Sequence, residues 1–176
     1  MSTSLDVIAA VRCSVEARTP LDERERVSVT SILQELDRLA EPFSEHADPV
    51  HITGSGVVVG SRGLLLHRHK RLGLWLQPGG HVEPDESPWD AARREIREET
   101  GLDAEPVSPA GLVHVDVHAG PRGHTHLDLR YLFAGPDADP RPPPGESPDV
   151  RWFDWDEAEA VADAGLIAVV RSLRPA

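Results

Sequence analysis

The sequence predicts an α/β fold in which a helical N-terminal segment precedes a sheet-containing domain. Residues 4 to about 40 carry apolar side chains at helical spacing. Two short apolar runs flank a turn at residues 60–63, and residues 113–133 alternate apolar and polar side chains as half-buried strands do. We therefore expect residues 1–48 to form a helical extension and residues 49–176 to form one α/β domain.

Composition and charge exclude several classes of protein. Apolar runs reach only three or four residues, whereas a membrane helix needs about 20, and no signal-peptide pattern is found at the N-terminus, so we expect a cytoplasmic protein without a membrane partner. The single cysteine, Cys13, forms neither an internal disulfide nor a thiolate metal cluster. The net charge of −12 disfavours long nucleic acid but allows small anionic substrates if a metal ion screens the charge.

Two amphipathic helices are expected in the extension. Their apolar stripes are Leu5, Ile8, Val11 and Val15, and then Val29, Ile32, Leu33, Leu36 and Leu39. The segment Thr19-Pro20-Leu21-Asp22 separates them, with Thr19 as the expected N-cap and Pro20 at the first helical position. The stripes could cover the domain or form a homodimer interface, and the pattern favours neither.

The domain begins with two strands, at Val57–Val59 and Leu64–Leu66, and continues with a glycine-rich loop at residues 78–80. A helix follows, with Ser87 as N-cap, a buried stripe of Trp89, Ala92 and Ile96, and Gly101 at its C-terminal end. Residues 113–117 and 127–133 should form a hairpin. Residues 134–149 carry six prolines and read as a loop, before a last strand from Val150 and a helix capped by Asp154.

Three carboxylates share one face of the helix after the glycine-rich loop. Glu95, Glu98 and Glu99 stand at positions i, i+3 and i+4, where like charges repel and raise one another's pKa. A divalent cation such as Mg2+ or Mn2+ would relieve this repulsion, since carboxylates are hard oxygen ligands. The alternative is a solvated charged face, but the carboxylates border the apolar stripe and lie near the Gly79-Gly80 backbone.

The chain resembles the Nudix hydrolase family at one motif. Gly80, Glu86 after five residues, and the run from Arg94 to Leu102 after seven more match the signature box of that family. We call residues 80–102 the Nudix box. The resemblance implies an α/β/α sandwich around a mixed sheet. It also implies Mg2+- or Mn2+-dependent hydrolysis of a nucleoside diphosphate linked to another moiety, or of a related organic pyrophosphate.

The resemblance also implies roles for individual residues. Glu95 and Glu99 would be direct metal ligands, and Glu98 a third ligand or the base that deprotonates water; the identity of the base stays open. The backbone carbonyl of Gly79 would join the metal shell. The expected supporting residues are Glu86, for the loop and helix geometry, and Arg94, which would orient the glutamates.

A second polar constellation lies on the predicted hairpin. One strand carries His114, Asp116 and His118, and His124, His126, Asp128 and Arg130 accompany the other. Side chains at alternating positions project together, so this face could contact substrate, bind zinc or simply be solvated. His118, His126 and Arg130 are candidate substrate contacts. So is Arg68, in the basic run 67–71, although a solvated turn explains that run equally well.

Two other functions compete with hydrolysis. A non-catalytic module could sense nucleotides or ADP-ribose on the same fold, although a sensor would not need all three box carboxylates. An isomerase resembling isopentenyl diphosphate isomerase would need a catalytic cysteine, and Cys13 lies outside the domain. No motif selects a particular pyrophosphate substrate.

Overall fold

A computed structural model describes residues 4–107 and 111–175 of the chain. The helices and strands follow one another in this order: α1 (Ser4–Glu16), α2 (Glu23–Arg38), β1 (Val50–Gly60), β2 (Gly63–Arg68), β3 (Trp75–Leu76), β4 (Gly79–His81), α3 (Pro88–Thr100), β5 (Glu105–Pro106), β6 (Leu112–Ala119), β7 (Thr125–Ala134), β8 (Val150–Phe153), α4 (Trp155–Val161) and α5 (Ile167–Leu173). The helical extension, the hairpin of β6 and β7, and the final strand and helix are confirmed.

One mixed sheet organises the molecule. The strands run in the order β3-β2-β1-β7-β5, and β4 pairs with β1, β6 with β7 and β8 with β2. The long β1–β7 pair is parallel, whereas the other pairs are antiparallel. Strand β1 is therefore central and connects the residues on β4 with those on β7.

Helices cover both faces of this sheet, which confirms the predicted sandwich. Apolar side chains of α1, α2 and α3 share one core with those of β1, β2 and β7. Side chains of α4 and α5 form a second core with β2 and β8 on the opposite face. Because Val11, Val15, Ile32 and Leu36 are buried in the first core, the apolar stripes of the extension cover the domain.

Helix α3 lies unusually close to β1. A Cβ atom on Gly54 would be 2.0 Å from the Pro88 carbonyl oxygen, and one on Gly56 would be 2.4 Å from Ile96 Cδ1. Glycine at these two positions lets the helix backbone and the Ile96 side chain rest directly on the strand. This contact determines the distance between α3 and the sheet.

Two sequence expectations about local structure were wrong. The N-cap of α2 is Asp22, not Thr19, because the Asp22 carboxylate accepts the Glu25 backbone N–H at 2.8 Å. Gly79 and Gly80 lie in β4 rather than in a loop, because their backbone pairs with Ser55 and Gly54 of β1. The loop predicted at residues 134–149 begins one residue later, because Ala134 ends β7, and residues 135–149 form neither helix nor strand. Among the described residues, no helix is long and apolar enough to cross a membrane.

Candidate active site

Local sequence determines where α3 begins and ends. Ser87 and Asp90 form a capping box, Pro88 occupies the first turn, and Gly101 closes the helix in the left-handed conformation with φ 71°. The helix consequently presents Glu95, Glu98 and Glu99 in its last two turns. The Glu95 and Glu99 side chains are only 15% and 16% exposed, whereas that of Glu98 is 51% exposed.

Arg94 neutralises part of this negative charge. Its guanidinium donates from Nε to Glu86 at 2.9 Å, and from Nη1 to Glu95 at 2.8 Å and to Glu98 at 2.9 Å. A further bond, 2.9 Å long, runs from Nη2 to the backbone carbonyl of His81. Partial burial opposes the charge on Arg94, but these carboxylates hold its pKa above the usual range. Arg94 and Glu86 thus link α3 to β4 and to the segment between them.

The backbone of β4 closes the site from the other side. The Gly79 N–H donates to Glu99 Oε2 at 3.0 Å, and a Cβ on Gly80 would lie 2.2 Å from Glu95 Oε1. A side chain at position 80 would displace the Glu95 carboxylate from this position. The contact seen at Gly79 is made by its amide, whereas the resemblance implied a ligand role for its carbonyl.

The buried carboxylates have unusual proton affinities. Burial raises the pKa of Glu99 to about 8, the nearby charges of Glu95, Glu146 and Glu98 act in the same direction, and the Gly79 N–H partly opposes them. Burial also raises the pKa of Glu95 above its ordinary value, although Arg94 opposes the shift. Two largely buried carboxylates that resist ionisation without a counter-charge favour a cation at this point.

His67 is a site residue that the sequence analysis assigned to the wrong environment. It was grouped with the basic run, but it lies in β2, is 4% exposed, and places Nε2 3.6 Å from Glu99 Oε2. Burial lowers its pKa to about 4, and His69 and Lys70 add to the shift, so its ring is neutral at pH 7. Its alternation with Leu65, which packs in the core beneath α3, was the signal that could have placed it.

The rest of the basic run contacts the proline-rich loop. Arg68 lies 3.9 Å from the Asp149 carboxylate and donates to the Gly73 carbonyl, and Lys70 contacts the Gly145 carbonyl and the Glu146 carboxylate. Arg68 and Lys70 stay about half exposed. The structure therefore places Arg68 at the exposed edge of a loop whose Glu146 contributes to the electrostatic field at Glu99.

Much of the polar face of the hairpin is buried, which contradicts the alternative of a solvated face for the residues at its centre. His114, Asp116, Asp128 and Arg130 are each at most 3% exposed. Arg130 donates to Asp128 at 2.9 Å and also contacts Asp116 and the Gly165 carbonyl. The α2 residue Arg24 reaches Asp116 at 2.6 Å. Arg130 thus belongs to a buried ion-pair network that joins the hairpin to the segment before α5.

His126 belongs to a different group from the one the hairpin pattern suggested. One ligand atom from each of His51, His81, His124 and His126 lies within 4.8 Å of the others. The ring of His118 is 5.4 Å from that of His126, and its Nδ1 is 3.2 Å from Asp116. His51 and His81 were missed because they come from β1 and β4, and only strand pairing brings them to β7. Burial lowers the pKa of His126 to about 4 and lowers those of His51 and His81.

Comparison with known proteins decides the family. The family model described as the NUDIX domain matches residues 50–172, which include α3, all strands of the sheet, α4 and most of α5. The chain belongs to the Nudix family. The helices α1 and α2 precede the matched region of this Nudix protein, and the predicted enzyme class, a Nudix hydrolase, is confirmed.

Individual relatives carry different activities in their names. An isopentenyl-diphosphate Delta-isomerase of Streptomyces griseus is 29% identical over 152 residues, covering 78% of this chain and 77% of the relative. A putative 8-oxo-dGTP diphosphatase of Bacillus subtilis is 46% identical over 75 residues, covering 43% and 45%. A solved Nudix hydrolase from Clostridium perfringens superposes with a TM-score of 0.60 at 25% identity, covering 70% of this chain and 98% of that one.

Proposed function

We propose that this chain is a Mg2+- or Mn2+-dependent pyrophosphohydrolase that cleaves a nucleoside diphosphate linked to another moiety, or a related organic pyrophosphate. One observation carries the proposal: Glu95 and Glu99 are largely buried side by side on α3, against the bare backbone of Gly79 and Gly80. Such a pair is costly unless a cation binds it.

The residues present fit a hard divalent cation. The donors are carboxylate oxygens, Gly80 leaves the space that a side chain would fill, and Glu99 retains a proton near neutral pH without a counter-charge. We assign the carboxylates of Glu95 and Glu99 and the backbone carbonyl of Gly79 to the ion, and we keep Glu98 for proton transfer. When bound, Mg2+ or Mn2+ offsets negative charge on the phosphate oxygens and acidifies water.

Other residues of the protein accept a proton, position the glutamates and bind substrate. Glu98 is more exposed than Glu95 and Glu99 and accepts the Arg94 bond through Oε2, which leaves Oε1 able to accept the proton of an attacking water. Arg94 and Glu86 hold the glutamates and β4 in place. Arg68 offers exposed positive charge to substrate phosphate. We keep His118 and His126 of the β6–β7 hairpin as candidate substrate contacts, and Arg130 holds this hairpin in place through its ion pair with Asp128.

Two other functions make different demands on the chain. A nucleotide or ADP-ribose sensor would bind without turnover. An isomerase is suggested by the extent of the match to the S. griseus relative. The resemblance implied a catalytic cysteine for that reaction. Cys13 is exposed on α1 and lines a shallow surface pocket with Ala17, Arg18 and Leu112, so it is not among the box residues. Hydrolysis, in contrast, needs carboxylates such as Glu95, Glu98 and Glu99, which lie together on α3.

A screen over organic pyrophosphates tests the proposal. The panel holds nucleoside triphosphates, nucleotide sugars, dinucleoside polyphosphates, ADP-ribose and isopentenyl diphosphate, each with Mg2+, with Mn2+ and with a chelator, and products are identified by mass. We expect metal-dependent cleavage of one compound class at its pyrophosphate. Saturable nucleotide binding without products would instead indicate the sensor. Rearranged isopentenyl diphosphate with its diphosphate intact would indicate the isomerase.

A further inference from the structure

We propose that His51, His81, His124 and His126 form a second metal site, separate from the box carboxylates, for a divalent transition-metal ion such as Zn2+ that prefers imidazole nitrogen. We call these four residues the histidine cluster. The inference does not depend on the hydrolytic function, because it concerns other residues and a different class of ion.

Strand pairing creates the histidine cluster. His51 of β1 is in register with His126 of the parallel strand β7, and His81 of β4 pairs with Thr53 on the other side of β1. His124 immediately precedes β7. The His51 ring centroid lies 5.1 Å from those of His81 and His124 and 5.2 Å from that of His126. Four imidazoles from three separate segments therefore converge on one point.

The distances suit a site that contracts slightly on binding. The ligand atoms lie within 4.8 Å of one another. Tetrahedral Zn2+ with bonds of about 2.0–2.1 Å requires nitrogen separations of about 3.3 Å, so the rings need to move inward by about 1 Å. Rotation about the side-chain torsions supplies a movement of this size. The His51 Nδ1 atom faces the Asp48 carbonyl at 3.3 Å, which leaves Nε2 as its ligand atom.

Unpartnered nitrogens point independently to a ligand. The Nε2 atoms of His51, His81 and His126 are all buried and have no hydrogen-bond partner. Buried polar atoms in proteins are nearly always satisfied, and leaving one unpaired costs about 1–3 kcal/mol. Three such atoms from three strands at one point are explained if an ion accepts their lone pairs.

The electrostatic surroundings agree with a cation. The Glu45 carboxylate lies 3.6 Å from His81 Nε2, beyond hydrogen-bond distance but close enough to offset positive charge. The negative charge of Glu45 raises the pKa of His81, whereas the positive charge of Arg122 lowers it. The donors are imidazole nitrogens, which suit Zn2+, Cu2+ or Ni2+, whereas the carboxylate oxygens of the Nudix box suit Mg2+.

The two sites share β4. The carbonyl of His81 accepts the Nη2 bond of Arg94, and Arg94 holds the box glutamates. An ion bound to His81 therefore fixes the strand that closes the Nudix site. This link predicts that occupancy of the histidine cluster also raises the thermal unfolding midpoint.

Binding of Zn2+ and Co2+ to the full chain, stripped of metal, tests the inference. We compare the wild type with two double variants, His124→Gln/His126→Gln and Glu95→Gln/Glu99→Gln, and with His69→Gln as a control histidine in the exposed turn after β2. We expect one tight equivalent of Zn2+ in the wild type, the carboxylate variant and the control. In the histidine variant the affinity should fall by at least about a hundredfold, since it loses two ligands.

The Co2+ spectrum keeps the test decisive if the histidine variant fails to fold. Intense visible absorption from a tetrahedral site, removed by one equivalent of Zn2+, is expected in the wild type and the carboxylate variant. Unchanged Zn2+ affinity in a folded histidine variant would overturn the inference. So would loss of tight binding in the carboxylate variant, a weak octahedral Co2+ spectrum, or no tight Zn2+ binding to the wild type.

Discussion

At the scale of single residues, the site is organised by how each carboxylate is neutralised. Arg94 bonds to Glu95 and Glu98, whereas Glu99 receives only the Gly79 N–H and the neutral ring of His67 among the contacts described. Glu99 is therefore the carboxylate that gains most from a bound cation. Its protonation should be visible in the stability of the metal-free protein.

We expect a pH dependence that belongs to Glu99. Its pKa is about 8 in the folded chain, against an ordinary value of 4.5 that applies when the chain unfolds. The folded state holds the extra proton, so the stabilisation is complete below pH 4.5 and is lost as the pH rises to about 8. Denaturant unfolding with a chelator, from pH 5 to 9, should show wild type losing stability relative to Glu99→Gln across this window. If the free energy of unfolding varied with pH in the same way for both proteins, the raised pKa assigned to Glu99 would be contradicted.

Residue contacts were predictable where they follow helical spacing. The sequence indicated that the box residues would be neighbours, because they lie on one helix or shortly before it. Arg94 contacts Glu86, Glu95 and Glu98, and Glu99 lies close to Glu95 and Glu98. His51, His67 and His81 were not predicted as site or cluster members. Their neighbours are determined by strand register, and a single sequence shows which residues alternate but not which strands pair.

At the scale of elements, α2 acts as a cover for the edge of β6. Glu25 is fully buried and accepts the N–H groups of Leu21 and Val115, and Ser28 Oγ accepts the Val117 N–H. Arg18 provides the counter-charge at 3.0 Å from Glu25. Side chains of α2 thus satisfy edge-strand donors that would otherwise be exposed or unpaired.

Removing the Glu25 carboxylate should therefore be costly. We expect Glu25→Ala to lower the free energy of unfolding by about 3 kcal/mol, because it leaves buried N–H groups and a partly buried guanidinium without their acceptor. Glu23→Ala, in the same turn but 73% exposed, should change it by less than about 0.5 kcal/mol. Urea unfolding of both variants measures the difference. Equal small effects would show that α2 does not stabilise the β6 edge in this way.

The elements themselves were largely predictable, and the exceptions have physical reasons. Capping residues and alternation located α3, α4 and the hairpin, and the prolines located the long loop. The first half of β1, from Val50, was not predicted. It carries polar side chains such as Thr53 and Ser55, which are buried in hydrogen bonds to Asp128. Such a strand lacks the apolar alternation by which half-buried strands are recognised.

At the scale of the whole molecule, one central strand connects two chemically different regions. On one face of the sheet, α3 places the box carboxylates against β4 and β2. Along the paired strands β4, β1 and β7 lies the histidine cluster, and buried ion pairs join the hairpin to the segment before α5. The proposed hydrolase therefore depends on the Nudix box, while the fold around it brings together further groups that local motifs do not reveal.

Turnover of the best pyrophosphate substrate by Glu99→Gln is the most direct test of the central claim that the box carboxylates perform metal-dependent hydrolysis. The exposed β5 variant Glu105→Gln serves as the matched control, and circular dichroism establishes that both proteins fold. We expect kcat of Glu99→Gln to fall by at least about a hundredfold while Glu105→Gln stays at the wild-type value. Wild-type turnover by a folded Glu99→Gln protein, with the same dependence on Mg2+, would contradict the account.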